Sequence, residues 1–190
     1  MYRFFLDHRT STLTSVSRFI WDLGGTAVLG VVTLAVAALV WSKTRRARAI
    51  LLPLLALVGS PLLVQLVKMA VHRPAPPAAE MLAGAPGFTF PSSPATASAA
   101  CLLTAAFVAW GVLPSWRSKV MAVTSAVSVS MLVGLVGLAL GVHWLTDVLG
   151  GWALGTLWFA IVAVVGDVAA TIHHRPSPPE RPKAEAGVRP

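Results

Sequence analysis

His143 and Asp147 stand four residues apart at the start of an otherwise apolar run. On a helix, positions i and i+4 share a face, so the imidazole and the carboxylate are expected to meet. A carboxylate bonded to one ring nitrogen fixes the tautomer and makes the other nitrogen more basic. That is the arrangement of a nucleophile or general base with its orienter. The bland alternative is a surface histidine beside a helix-capping aspartate, and the pair alone does not separate the two. Lys68 is a further charge inside an apolar run, followed at once by His72 and Arg73. A charge within hydrocarbon costs about 2.5–3.5 kcal/mol or more, so such residues usually mark function. Ser92 and Ser93 stand just before another apolar run. A cation, a hydroxyl at a helix N-terminus and an oriented imidazole together suit a phosphate group, because free N–H groups and the helix dipole bind anions. His143 and Asp147 are too few to ligate a metal, so no metal and no cofactor are expected. His173 and His174 read as solvated tail residues rather than ligands.

The elements that position these residues are apolar. Hydrophobic residues make up 56% of the 190 and charged residues only 12%, about half the share of a soluble domain. Five segments are long enough, or nearly so, to span about 30 Å of hydrocarbon. They run roughly 26–41, 49–71, 95–113, 120–140 and 144–165. The second carries Pro53 and Pro61, which a membrane helix tolerates when neighbours cover the freed carbonyls. Trp41, Trp110, Trp116, Trp144 and Trp158 read as interfacial aromatics at span ends. Gly137-x3-Gly141 and Gly151-x3-Gly155 are spacings that favour close helix packing. The lone Cys101 permits no intrachain disulfide and reads as buried.

The fold class is therefore an all-α, polytopic membrane helix bundle of about five transmembrane helices. Residues 1–25 add an N-terminal interfacial helix, with Leu13, Val16, Phe19, Ile20 and Leu23 at helical spacing. Residues 26–170 form the transmembrane domain, and 171–190 form a Pro-, Arg- and Glu-rich disordered tail. The net charge of +8 is concentrated in the loop 42–48, the loop 114–119 and the tail. These charges punctuate the spans instead of forming one stripe, and no groove-reading motif accompanies them, so nucleic acid is not an expected partner. The positive-inside rule makes all three regions cytoplasmic. The N-terminus, the segment 72–94 and the turn near 141–143 then face outward. Lys68, Arg73, Ser92, Ser93, His143 and Asp147 converge on that one outer face.

In order and spacing these residues resemble the type 2 phosphatidic acid phosphatase / vanadium haloperoxidase superfamily. Its three motifs are K-x6-R-P, P-S-G-H and S-R-x5-H-x3-D. The corresponding stretches here are KMAVHRPAP at 68–76, FPSSPATAS at 90–98 and VGLALGVHWLTD at 136–147. HWLTDVLGGWALG at 143–155 is similar to the helix of the third motif, and LDHRTSTLTSVSRFIWDLGG at 6–25 to the interfacial segment before a span in bacterial members. The resemblance covers about residues 6–165. Bacterial members typically have six spans, so a first span would be missing here.

The resemblance implies a phosphohistidine mechanism with His143 as nucleophile and Asp147 as its orienter. Lys68 and Ser92 would hold the phosphate, with Arg73 and Ser93 beside them. It also exposes three gaps. Ala75 stands at the first-motif arginine, Pro94 at the second-motif histidine that protonates the leaving oxygen, and Gly137 at the third-motif arginine. Val136 and Ser93 replace that motif's serine and the second motif's glycine. The implied activity is that of a lipid-phosphate or prenyl-diphosphate phosphatase, reduced or lost. The alternative is a non-catalytic lipid-phosphate-binding or partner subunit of the same fold. A proton-coupled transporter using His143 and Asp147 is a weaker third reading, because no internal repeat is visible. The expected partners are membrane lipids, among them a lipid phosphate or isoprenoid diphosphate, in a bacterial plasma membrane. The Arg-over-Lys and Ala/Val bias points the same way.

Overall fold

In the computed structural model, residues 7–77, 81–83 and 87–173 are described, the side chains of 172 and 173 excepted. They form six helices: α1 Ser11–Leu23, α2 Thr26–Thr44, α3 Arg48–Val71, α4 Ser93–Ala109, α5 Trp116–Ala139 and α6 Leu145–His173. Four of them, α2, α3, α5 and α6, are long and apolar enough to cross a membrane, while α4 is a shorter apolar helix. The five expected spans are therefore four long helices and one of 17 residues. At about 1.5 Å per residue, α4 is about 25 Å long, a little short of the hydrocarbon thickness. Its position explains why that suffices. It packs against α2, α3, α5 and α6, and it is the most buried helix of the five. Largely covered by protein, it has little lipid thickness to match. The chain is an integral membrane protein. The tail 174–190 lies outside the described residues.

Small residues make this packing possible. The face of α6 carrying Gly151 and Gly155 lies directly on α4. A Cβ at Gly151 would meet the Ser92 carbonyl oxygen at 2.8 Å and Ala95 Cβ at 2.9 Å, and one at Gly155 would meet Thr96 and Ala99. This is the close approach that small-x3-small spacing allows. Between α4 and α5 a buried Ser98–Ser130 hydroxyl bond of 3.0 Å links the helices. Hydroxyl-to-carbonyl bonds within α4 satisfy Thr96 and Thr104.

Several details differ from the sequence expectation. Gly141 lies past the end of the helix. It takes φ +72° in the turn after α5, with Val142 N–H reaching the Gly137 carbonyl at 3.1 Å and Gly141 N–H reaching that of Leu138 at 3.0 Å. This Schellman closure needs the left-handed conformation that glycine adopts without a Cβ penalty. Trp158 is not at a span end. It lies midway along α6, its ring against Gly59 and its indole N–H bonded to the Leu55 carbonyl at 3.2 Å. Packing against α3, not the interface, accounts for it.

The N-terminal helix α1 is two-faced. Leu13, Val16, Phe19 and Leu23 are exposed, as a face directed at lipid would be. Ser17 is buried, and Ile20 and Trp21 pack on Val136, Leu140 and Val142 at the end of α5. A Cβ at Gly24 would meet Val133 at 2.8 Å. Arg9, just before α1, donates to the Ala139 carbonyl at 3.1 Å, satisfying one of the carbonyls left free at the C-terminus of α5.

Candidate functional site

Four chain segments bring the predicted residues to one end of the bundle. The first is the end of α3. His72 closes it in the left-handed conformation at φ 51°, its N–H on the Lys68 carbonyl at 3.0 Å. Lys68 is thus one turn inside the helix, half-buried and within electrostatic reach of Asp147. The second segment, 87–92, folds back over it. Pro74 and Phe88 form an antiparallel bridge, Thr89 N–H reaches the Arg73 carbonyl at 3.1 Å, and the His72 and Phe88 rings meet edge-to-face at 4.6 Å. The Phe90–Pro91 peptide is cis, and the Phe90 ring lies on Gly150.

The third segment is the start of α4. Ser92 is its N-cap, and its Oγ accepts from Ala95 N–H at 3.5 Å. Ser93 and Pro94 begin the helix, with Ser93 half-exposed. Proline is sterically at home in a first helical turn. It nonetheless removes one of the N–H groups that such a terminus would offer an anion.

The fourth segment is the turn from α5 into α6, and here the geometry departs most from the helical i,i+4 picture. His143 lies in the turn before α6, not on the helix. Trp144 follows it, and Asp147 is in the first turn of α6. The imidazole Nδ1 lies 3.8 Å from Asp147 Oδ2, an ion-pair distance that is too long for a hydrogen bond. Nδ1 is buried and has no hydrogen-bond partner. The carboxylate is engaged elsewhere. Oδ2 accepts the Trp144 N–H at 2.9 Å, the cap that an acidic residue in the first turn makes back to the helix start. Oδ1 accepts from Arg73 at 3.0 Å. The same guanidinium nitrogen also donates to the Thr146 hydroxyl, and the guanidinium lies over the Trp144 ring at 5.9 Å.

Asp147 therefore serves both of the readings its sequence position allowed. It caps its helix and it faces the imidazole. Arg73 holds it in place, so in this state Arg73 is directed at the carboxylate and not at an open phosphate site. The Ser92 N–H donates to the Asp147 carbonyl at 2.9 Å, fastening the start of α4 to the start of α6. Lys68, Arg73, Ser92, His143 and Asp147 are thus all at one end, with Ser93 adjoining them. Among the described residues, no group of three or more His, Cys, Asp or Glu side chains converges as a metal shell would need.

One neighbour of His143 was not visible in the sequence. Trp21 of α1 stands with its ring centroid 6.1 Å from that of His143. A Cβ at Gly137 would fall 3.2 Å from the Trp21 ring and 3.3 Å from His143 Cδ2. Cδ2 adjoins Nε2, the ring nitrogen remote from Asp147. A side chain at position 137 would thus lie beside Nε2, and Trp21 covers that place. His143 is left only 7% exposed. No sequence signal singled out Trp21, because its partners lie more than a hundred residues away.

Residues 49–169, well over half of the chain, match the model of the PAP2 superfamily, and the chain belongs to that superfamily. Among solved structures it is similar to a transmembrane PAP2-type phosphatidylglycerolphosphate phosphatase from Bacillus subtilis. The two are 27% identical with a TM-score of 0.81, over 88% of this chain and 83% of that one. It shares the fold of LpxE from Aquifex aeolicus at 18% identity and a TM-score of 0.65, over 85% of this chain and 91% of that one. No curated protein sequence matches it significantly.

Proposed function

We propose that this protein binds phosphorylated membrane lipids at the end of the bundle where Lys68, Arg73, Ser92, Ser93, His143 and Asp147 collect. Its turnover through a phosphohistidine at His143 is far below that of a complete PAP2 site. The observation that carries this reading is the state of Asp147. Both its oxygens are taken, by Arg73 and by the Trp144 N–H, while His143 Nδ1 stands 3.8 Å away. In the full reaction Nε2 would attack phosphorus, the leaving oxygen would depart with a proton, and water would then cleave the N–P bond. Asp147 would have to hold Nδ1–H during the attack, which requires the imidazole or Arg73 to move.

The sequence gaps act in the same direction. Pro94 cannot donate a proton to the leaving oxygen, and a general acid is worth about 10²–10⁴-fold. Ala75 and Gly137 supply no guanidinium, and each hydrogen bond to a charged group is worth roughly 1.5–3 kcal/mol. Phosphate binding depends on fewer parts. Lys68 is half-exposed beside two helix N-termini, which together attract an anion.

The second reading is a purely non-catalytic lipid-phosphate protein, and the Trp21 ring beside His143 favours it. In either case the positive-inside rule, applied to the basic loops, supports an extracytoplasmic site in a plasma membrane.

Binding is tested by thermal unfolding of the purified chain in detergent with short-chain phosphatidylglycerol phosphate. Stabilisation beyond that given by short-chain phosphatidylglycerol, which lacks the terminal phosphate, is expected, and this excess should disappear in Lys68→Ala. Equal stabilisation of Lys68→Ala and the parent would contradict the proposed site.

A further inference from the structure

The opposite end of the bundle carries a second feature that the site just described does not use. Arg46 and Arg48, at the turn from α2 into α3, stand between two cavities. The smaller, about 220 Å³, lies against Thr44, Gly111 and Val112. The larger, about 650 Å³, runs from the two arginines into the membrane-spanning region between α3 and α6. Its size is in the range of ligand pockets, roughly 300–1,000 Å³.

The larger cavity has the polarity of a lipid. One end is cationic, and the walls are the apolar side chains of Leu51, Leu55, Val165 and Ala169. Leu51 and Val165 are 60% and 48% exposed, so the walls open toward the surrounding lipid. The floor is Leu52 against Gly166, where a Cβ on the glycine would meet Leu52 Cδ1 at 2.6 Å. The missing side chain lets α6 approach α3 there without filling the groove. One turn further into the membrane, Trp158 spans from α6 to Gly59 and the Leu55 carbonyl and closes the gap between the helices.

Charge at this end is mostly positive; the exposed Asp167 of α6 does not line the groove. Lys43, Arg45, Arg46 and Arg48 lie within six residues with no acidic residue among them. Arg45 is turned onto the Trp41 ring at 4.9 Å, which leaves Arg46 and Arg48 at the groove. Basic residues at a membrane surface attract anionic headgroups, and a groove of hydrocarbon walls below them accepts an acyl chain. Lys68 is twenty residues along α3 from Arg48, about 30 Å away and across the bilayer. The groove is therefore separate from the candidate phosphate site.

We infer that the groove between α3 and α6 binds one anionic diacyl phospholipid of the leaflet at the basic end, its phosphate on Arg46 and Arg48 and an acyl chain along Leu51, Leu55, Val165 and Ala169. The lipid stabilises the α3–α6 contact and is not a substrate.

The test uses the full chain, purified in a neutral detergent. Native mass spectrometry counts bound lipid, and thermal unfolding reads its effect. Phosphatidylglycerol is compared with phosphatidylcholine and with inorganic phosphate. The expected result is one tightly held phosphatidylglycerol and an upward melting shift that neither control produces. The double variant Arg46→Gln/Arg48→Gln should weaken binding about 30-fold, from two basic contacts at an anionic headgroup. Ala169→Trp, at an exposed wall position, should block the groove and abolish the shift with the arginines intact. Arg117→Gln/Lys119→Gln, in the other basic loop, and Lys68→Ala should each keep it. Equal effects of phosphatidylcholine, loss in the Arg117/Lys119 or Lys68 variants, or retention in both groove variants would overturn the inference.

Discussion

Arg73→Ala should destabilise the protein in the absence of any phosphate. Arg73 donates to a fully buried carboxylate at 3.0 Å, while its own side chain is 35% exposed. Removing one partner of a wholly buried pair costs about 3–5 kcal/mol, and an exposed pair is worth only about 0.2–1 kcal/mol. One partner here is buried and the other is a third open to solvent, so the cost should fall between, at about 2 kcal/mol. For a chain of this length each kcal/mol moves the melting temperature by roughly 2–4 °C, which gives a fall of about 4–8 °C. The assay is thermal unfolding in detergent micelles without phosphate, followed by tryptophan fluorescence. Asp147→Asn and the double variant complete a cycle, and the pair should couple, because they share one contact. If Arg73 were held only in readiness for phosphate, its removal would leave the unliganded protein unchanged. A melting shift under about 1 °C, or strict additivity with Asp147→Asn, would refute the assignment of Arg73 to Asp147.

Two further outcomes follow from close contacts. Gly151→Ala places a methyl 2.8 Å from the Ser92 carbonyl, so α6 must move off α4, at about 1–3 kcal/mol, whereas Gly30→Ala, whose nearest neighbour is 3.7 Å away, should cost far less. Thermal unfolding of the two variants side by side checks this, and equal stability would show the α4–α6 contact to be looser than described. Gly137→Arg should lower stability while Trp21 is present, because the new side chain meets its ring. In a Trp21→Ala, Pro94→His background the same arginine should raise phosphate release by about 10-fold or more, the worth of one hydrogen bond to a charged group. An equal effect of Gly137→Arg with and without Trp21 would show that the indole does not occupy that place.

The membrane fold was legible because apolar runs and basic loops are properties of contiguous sequence. Lys68, Ser92, His143 and Asp147 were legible for a related reason, since polar residues stand out against such runs. What escaped the sequence was which partner each would take. The His143–Asp147 spacing suggested a helical face, but Gly141 ends α5 in a left-handed turn and leaves His143 outside α6. The carboxylate then finds the Trp144 N–H beside it and Arg73 from a segment 74 residues earlier. Trp21 was hidden for the same reason, because its contact with His143 spans most of the chain. Trp158 was misplaced because aromatic residues sit both at interfaces and against glycines, and only the α3–α6 packing separates the cases.

The proposed function gives this PAP2 protein a phosphate-binding site with slow turnover. The most direct measurement is release of inorganic phosphate from phosphatidylglycerol phosphate in mixed micelles, per mole of protein, beside the Bacillus subtilis phosphatase and a His143→Ala control. The account predicts release at least about 10²-fold below the Bacillus subtilis enzyme, from the missing general acid alone. Release at a comparable rate, lost in His143→Ala, would contradict it.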